Sequence, residues 1–383
     1  MNTQARLTRR EMLRGSVAMA ALGFVQYPLS TFGFADPDKG ATLLPFLDIQ
    51  PPGKMLRWEQ LTSWITPNDL VFSVSHYDTP IVDANKRQLE ISGLIRRPMT
   101  LSLAELKARK RKTITATLEC SGNSSNPAFM GAIGNVKWTG TPLAPLLKEC
   151  GLLDRAIEIV FFGADEKVEK IREKDYLQNF ARSLSRSDAL RDDIILAYEM
   201  NGEPLEQGHG APLRLIVPGW FGIAWVKWLT RIEALDRRYM SKYMAREYVT
   251  IRGEERNGRS IWRETSVGPM DVKSIIARAV RLKDGTIRLS GAAWTDGTPL
   301  RRVELKIDDG GWLGVRLDEK NRSKYSWTFW NYDWRNPPPG DHSLVSRAVD
   351  AEGRSQPAVD DPEIKLKRTY WEANQQWPRK LRI

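Results

Sequence analysis

Residues 193–232 read DIILAYEMNGEPLEQGHGAPLRLIVPGWFGIAWVKWLTRI. Two short apolar runs in this stretch, Asp193 to Tyr198 and Leu213 to Val217, have the length and composition of buried strands. Between them, His209-Gly210-Ala211-Pro212-Leu213-Arg214 sets a basic side chain at each end of a tight turn. That turn is either an anion cradle or an ordinary turn with a surface arginine. Downstream, Trp225-Val226-Lys227-Trp228 holds Lys227 between bulky aromatics, where a lysine either meets a phosphate or snorkels to water.

Upstream the same texture continues. Residues 36–80 are Pro-rich and irregular. Gln88 to Gly93 reads as a strand ended by a turn, and Leu103 to Lys112 as a short charged helix. Thr113 to Leu118 is a β-branched strand running into Glu119-Cys120 and a polar loop, Ser121 to Pro127. Leu143 to Cys150 is a helix with Leu143, Leu146 and Leu147 on one face, stopped by Gly151. Ala156 to Phe162 is another buried-type strand. Mixed short strands and helices of this kind predict an α+β or α/β domain.

After Val267-Gly268-Pro269 the pattern changes. Ile287–Trp294, Arg302–Asp308, Trp312–Leu317, Tyr325–Trp330 and Ser343–Val349 are short runs separated by Gly- and Pro-rich turns, the pattern of a β-sandwich. The basic tail, Lys365 to Lys380, carries Trp371 and Trp377 and is too aromatic for a simple solvated arm.

With 383 residues the chain has room for two or three domains. Its formal charge of +11 favours anionic ligands or partner patches. Cys120 and Cys150 are the 2 cysteines, too few for a disulfide framework, a four-cysteine zinc site or a cysteine-ligated iron–sulfur cluster. The 3 histidines, His76, His209 and His342, are too scattered to suggest a histidine metal cluster. Nucleotide, c-haem and zincin motifs are absent.

The N-terminus reads TRREMLRGSVAMAALGFVQYPLSTFGFAD. Arg9-Arg10, followed by a weakly apolar run too short to span a bilayer, looks like a twin-arginine export signal. Gly33-Phe34-Ala35 is the best cleavage site. Removing it takes away four Arg and one Glu, so a chain from Asp36 carries +11 − 3 = +8. The expectation is a periplasmic protein without a transmembrane anchor in its mature form.

Cys120, at a strand end within ECSGNSSNP, admits three readings: nucleophile, metal-ligating thiolate, or buried structural cysteine. A resemblance narrows them. LECSGN (118–123), GAIGNVKWTGTPL (131–143), LAYEMNGEPL (196–205), HGAPLRLIVPGWFG (209–222) and VKWLTRI (226–232), in this order, resemble the sulfite oxidase family of molybdopterin enzymes. The ECSGNS wording is most similar to the bacterial sulfite and sulfane dehydrogenase branches. With the export signal over 1–35, the resemblance implies a mixed α/β molybdopterin domain over 36–265 and an immunoglobulin-like β-sandwich dimerisation domain with its tail over 266–383. It implies one molybdenum and one mononucleotide-type molybdopterin, with Cys120 as the metal ligand. His76, Tyr77, Arg182, Ser183, His209, Arg214 and Lys227 correspond to cofactor-binding positions, and Tyr248 and Arg246 to catalytic ones.

Three departures stand out. Ser75 and Ser125 replace arginines that clamp a sulfite dianion in vertebrate-type members, and Ala224 replaces a phosphate-site arginine. Arg182, Arg246, Arg302 and Arg322 are candidates to restore the charge. The expected activity is oxidation of sulfite or a related small inorganic sulfur compound, with electrons passing to an external acceptor such as a c-type cytochrome. The alternative is reduction of an organic sulfoxide. A homodimer is expected, and no nucleic-acid partner.

Overall fold

The computed structural model describes residues 41–48, 55–61 and 63–383. The export signal expected over 1–35 lies outside the described residues. The fold is mixed α/β and dominated by strands. Four short α-helices, Leu103–Lys107, Leu143–Cys150, Arg186–Ala189 and Pro362–Lys365, occur among the described residues.

Two five-stranded sheets carry the first two-thirds of the chain. In one, Ile133–Pro142 lies between Lys112–Glu119 and Ile195–Met200, and Arg214–Ile216 extends the sheet, all antiparallel. Ile133–Pro142 is buried at every position except Lys137, as a central strand covered on both faces must be. In the other, Leu229–Leu235 pairs parallel to Gln88–Gly93 and antiparallel to Glu158–Ile171. Glu158–Ile171 and Lys174–Ser185 form a long hairpin whose outer half projects charged residues.

The helix Leu143–Cys150 forms as its apolar spacing predicts, with Leu143, Leu146, Leu147 and Cys150 buried. Gly151 ends it at φ 70°, the left-handed position that favours glycine. The helix expected over 103–112 stops at Lys107, although Ser102 and Glu105 form a complete capping box. The basic run beyond it is drawn elsewhere. Arg109 pairs with Glu149, and Lys112 already belongs to the next strand.

In the C-terminal third, Thr42–Leu44, Lys273–Arg281, Ile287–Trp294, Thr328–Trp334 and Arg316–Leu317 make one sheet. Leu313–Gly314, Leu300–Ile307, Asp341–Asp350 and Arg379–Arg382 make another. Ile276, Ala279 and Leu289 from the first meet Val303, Leu305, Leu344 and Ala348 from the second in a shared apolar layer. The opposite face of the first sheet, with Ile275, Ala277, Trp294 and Phe329, joins the main core. Gly291 is required between the two faces, since a Cβ there would sit 2.2 Å from the Trp330 ring. The run 312–317 is split into two short edge strands.

Two segments cross the 265/266 boundary expected from sequence. Thr42–Leu44 pairs with Lys273–Arg281 in the C-terminal sheet. The tail returns to the first half, where Trp371 stacks on Tyr248. A buried ion pair ties the halves together: Lys273 Nζ lies 2.6 Å from Glu119 Oε1, and Trp294 Nε1 donates to Glu119 Oε2 at 2.9 Å.

Candidate functional site

The strand Lys112–Glu119 delivers Cys120 into a loop with few free backbone groups. Cys120 N–H donates to Ala132 O at 2.9 Å, and Asn123 N–H closes back on Cys120 O at 2.9 Å. The Asn123 side chain donates to Glu119 Oε1 and accepts from Ala132 N–H, both at 3.0 Å. The tail braces the other side. Glu372 N–H donates to Ser121 O at 2.8 Å, while Gln375 Nε2 and Trp377 Nε1 donate to Ser124 O at 3.0 and 2.8 Å. Glu119, pinned by Lys273, makes the base of the loop rigid.

Cys120 is half-buried and lines a cleft. Burial pushes its thiol pKa up, against the partial opposition of the Gly122 and Asn123 backbone amides. Such a thiol is a poor free nucleophile, but a bound metal cation would hold it as thiolate. Among the described residues no cluster of three or more His, Cys, Asp or Glu could hold a metal. A metal at Cys120 would therefore have to bring most of its ligands with it.

The cleft is open to solvent. Two cations line it. Arg214 is buried; it donates to His209 O at 2.9 Å and Trp225 O at 3.3 Å, and lies over Trp138 at 4.9 Å. Its Nε has no partner, and burial pulls its pKa down to about 9. Lys227 Nζ donates to Ser73 Oγ, Ser75 Oγ and Gly208 O at 3.2, 3.1 and 3.0 Å. Burial, then repulsion from Arg214, pulls its pKa down to about 7, with Asp165 opposing. Gly210, at φ 101°, lets the turn close onto Lys227, where a Cβ would be 2.9 Å from the lysine's own Cβ. The His209 pKa falls to about 4, through burial and then the same two cations. Neither Arg214 nor Lys227 has a carboxylate within ion-pair distance among the described residues. Buried cations held on carbonyls and hydroxyls are costly unless an anion joins them.

Asp165 faces the same cleft from a β-bulge, where the pairing register shifts between Phe162 and Glu166. Burial raises its pKa to about 6, and its Oδ1 has no hydrogen-bond partner.

An aromatic wall closes the cleft. His76 Nε2 and Tyr248 Oη are 2.6 Å apart. His76 stacks on Phe180 at 5.0 Å and meets Tyr243 edge-on at 4.7 Å. Tyr248 follows the π-helical turn Lys242–Arg246 and sits at φ 56°, an uncommon region for a bulky residue.

The cleft thus gathers Cys120, His76, His209, Arg214, Lys227, Tyr248 and Ser75. Other expected residues stand elsewhere. Tyr77 Oη donates to Glu169 at 3.1 Å, and burial raises its pKa. Arg182 is spent on the carbonyls of Tyr243 and Val267, bracing the turn beneath Tyr248, and its pKa falls to about 10 through burial. Ser183 donates to Glu158. Arg246 is exposed and reaches Tyr176 Oη at 3.3 Å. Ser125 and Ala224 are outside the lining. Arg302 pairs with Glu304 and Arg322 with Glu319, so neither restores charge in the cleft. Sequence reading missed Ser73, Asp165 and the supporting Glu119–Lys273 pair. The Gly163-Ala164 step within a strand was the available sign of the Asp165 bulge.

Comparison with known proteins agrees with this geometry. Residues 76–243 match a family described as oxidoreductase molybdopterin binding domain. The chain is 31% identical over 350 residues to the mitochondrial sulfite oxidase of Drosophila melanogaster, covering 83% of this chain and 59% of that one. It is 26% identical over 346 residues to the sulfite oxidase of Arabidopsis thaliana, covering 82% and 86%. The chain spans about 60% of the length of the mitochondrial sulfite oxidases it matches. The crystal structure of the sulfane dehydrogenase SoxCD from Paracoccus pantotrophus superposes with a TM-score of 0.72 at 26% identity, covering 92% of this chain and 94% of that one.

Proposed function

We propose that the chain is a molybdopterin oxidoreductase related to sulfite oxidase and sulfane dehydrogenase, and that it oxidises sulfite or a related small sulfur compound. The observation that carries the reading is one cleft holding Cys120, two buried cations without carboxylates, and the His76–Tyr248 pair. Cys120 would ligate molybdenum. Arg214 and Lys227 would hold the phosphate of a mononucleotide-type molybdopterin, with His209 beside them. Arginine and lysine suit phosphate as fork and point charge respectively. Asp165 Oδ1 is an acceptor for a donor edge of the same group. When bound, the cofactor supplies oxygen-atom transfer and two-electron redox chemistry.

The protein's own part is placement and proton handling. The Tyr248 Oη–His76 Nε2 contact can pass a proton in either direction, and the Phe180 and Tyr243 rings hold His76 in place. Oxidation of sulfite with water releases two protons and two electrons. The electrons go one at a time to a c-type cytochrome or similar acceptor.

We further propose export to the periplasm, a homodimer, and an immunoglobulin-like form for the C-terminal sheets. Arg9-Arg10 supports the first reading and the shared layer between two antiparallel sheets the last, while the homodimer rests on the family resemblance alone.

One observation favours a second reading, reduction of an organic sulfoxide. Among the described residues, Arg214 and Lys227 are the only Lys and Arg side chains lining the cleft, whose other walls include Val74, Leu118, Phe180 and Ile223. Purified holoprotein should be given sulfite or thiosulfate with ferricyanide, and methionine sulfoxide with a reduced dye. Sulfite oxidation is expected, with loss of turnover by at least about a thousandfold and of molybdenum in Cys120→Ser. Sulfoxide turnover without sulfite oxidation, or full activity in Cys120→Ser, would overturn the reading.

A further inference from the structure

The C-terminal tail meets the cleft and the Cys120 loop by two contacts. The first is a ladder of rings. Tyr248 lines the cleft and stacks on Trp371, with centroids 4.1 Å apart and planes 27° apart. Trp371 meets Tyr370 at 4.0 Å, and Tyr370 is 53% exposed. The second is a hydrogen bond between buried residues: Glu372 N–H donates to the carbonyl of Ser121, the neighbour of Cys120.

The strap carrying these residues is fixed along the hairpin Val249–Arg256 and Arg259–Ser266. Gly253 N–H donates to Leu366 O at 2.7 Å, Arg368 N–H to Ile251 O at 2.9 Å, and Ile251 N–H to Thr369 Oγ1 at 3.1 Å. Arg368 lies over Trp262 at 4.6 Å, and Trp262 is 40% exposed. Nearby Arg256 and Arg263 share Glu254, but Arg368 forms no ion pair among the described residues.

Resting on the reading that electrons leave singly, we infer that Tyr370, Arg368 and Trp262 form the docking surface for a protein electron acceptor, a c-type cytochrome with a negatively charged rim around its haem edge. Exposed Tyr, Trp and Arg are the residue types enriched at interface centres. A small, polar contact suits a transient redox encounter. The uncompensated Arg368 charge steers an acidic partner. The rings serve as closely packed matter between cleft and partner and need not change oxidation state. For sulfite the balance is SO₃²⁻ + H₂O + 2 Fe(III) → SO₄²⁻ + 2 H⁺ + 2 Fe(II), with the haem irons of two acceptor molecules reduced.

The test uses the full-length holoprotein, a soluble c-type cytochrome of net negative charge, and ferricyanide. Arg368→Glu and Tyr370→Ala should each lower kcat/KM for the cytochrome at least about tenfold. Ferricyanide turnover and molybdenum content should stay within about twofold of wild type. Binding of the oxidised cytochrome, followed by surface plasmon resonance, should weaken in parallel. That measurement needs no turnover, so failure of sulfur oxidation and failure of docking are separately visible. Unchanged cytochrome binding in both variants, or equal loss with both acceptors, would overturn the inference.

Discussion

Buried cations are handled in opposite ways in two regions of this molecule. At the seam between the halves, Lys273 meets Glu119 at 2.6 Å, and Arg379 meets Asp48 at 2.7 Å and also Glu59. In the cleft, Arg214 and Lys227 meet carbonyls, hydroxyls and indole faces instead. The seam satisfies its charges from within the chain. The cleft keeps two cations with no carboxylate at ion-pair distance among the described residues, and only Asp165 acts on Lys227 from further off. Pairing at the seam serves folding, whereas its absence in the cleft is what the proposed anion site requires.

The largest effect that can break this contrast is on the stability of the cofactor-free protein. Lys273→Met removes one partner of a fully buried pair and leaves the Glu119 charge uncompensated, which should cost about 3–5 kcal/mol. Arg214→Met removes a cation with no carboxylate and should leave apo-protein stability unchanged or raised, while abolishing retention of the pterin. Urea unfolding of both variants, with pterin fluorescence of the holo preparations, measures the two outcomes. Comparable destabilisation by both substitutions would show that Arg214 is a structural cation.

A smaller effect follows from pH. Lys227 is held near pKa 7 in the fold against 10.5 as its ordinary value. Between those values the unfolded chain binds a proton that the folded chain lacks, so stability of the apo-protein should rise with pH across that window. His209 behaves in the same sense lower down: its pKa is about 4 against 6.5, so stability is lost as pH falls through that interval. A bound phosphate would restore charge to Lys227 and flatten the upper rise. Melting temperatures of apo- and holoprotein from pH 5 to 10 should differ in slope above pH 7, and identical slopes would sever Lys227 from the anion.

The sequence made the same two regions unequally legible. Around the cleft, strand ends and small-residue turns carry Cys120, His209, Arg214 and Lys227, and their order along the chain is informative. The helix Leu143–Cys150 was readable because its spacing, Gly151 and burial all agree. The hairpin Glu158–Ser185 was not. Its outer half is charged on both strands, and its turn uses Arg172 and Glu173 at φ 48° and 64° without a glycine to announce it. The second hairpin does carry Asn257-Gly258, a strong turn signal, at φ 50° and 71°. Arg182 was misplaced for a different reason. Neighbours in sequence to a cleft residue, here Phe180, need not share its environment, and Arg182 turns to carbonyls beneath the turn. The Lys273–Glu119 pair spans 154 positions, and no local pattern announces it.

The smallest expected effect separates the two serines that stand where the resemblance implies arginines. Ser75 lines the cleft beside His76 and accepts from Lys227 Nζ at 3.1 Å. Ser125 lies off the lining, in a turn where its N–H donates to Gly122 O at 3.2 Å. Ser75→Arg therefore adds a cation where a sulfur oxyanion would enter, and should lower KM for sulfite by up to about tenfold, the equivalent of one modest charge-assisted contact. The gain should shrink with added salt, since the site is open to solvent. Part of it will be offset by repulsion from Lys227, which loses a hydroxyl acceptor in the same change. Ser125→Arg should leave KM within about twofold. Steady-state kinetics with saturating ferricyanide at low and high ionic strength distinguish the two. A gain from Ser125→Arg equal to that from Ser75→Arg would mean that substrate meets the loop after Cys120 and not the His76 side of the cleft.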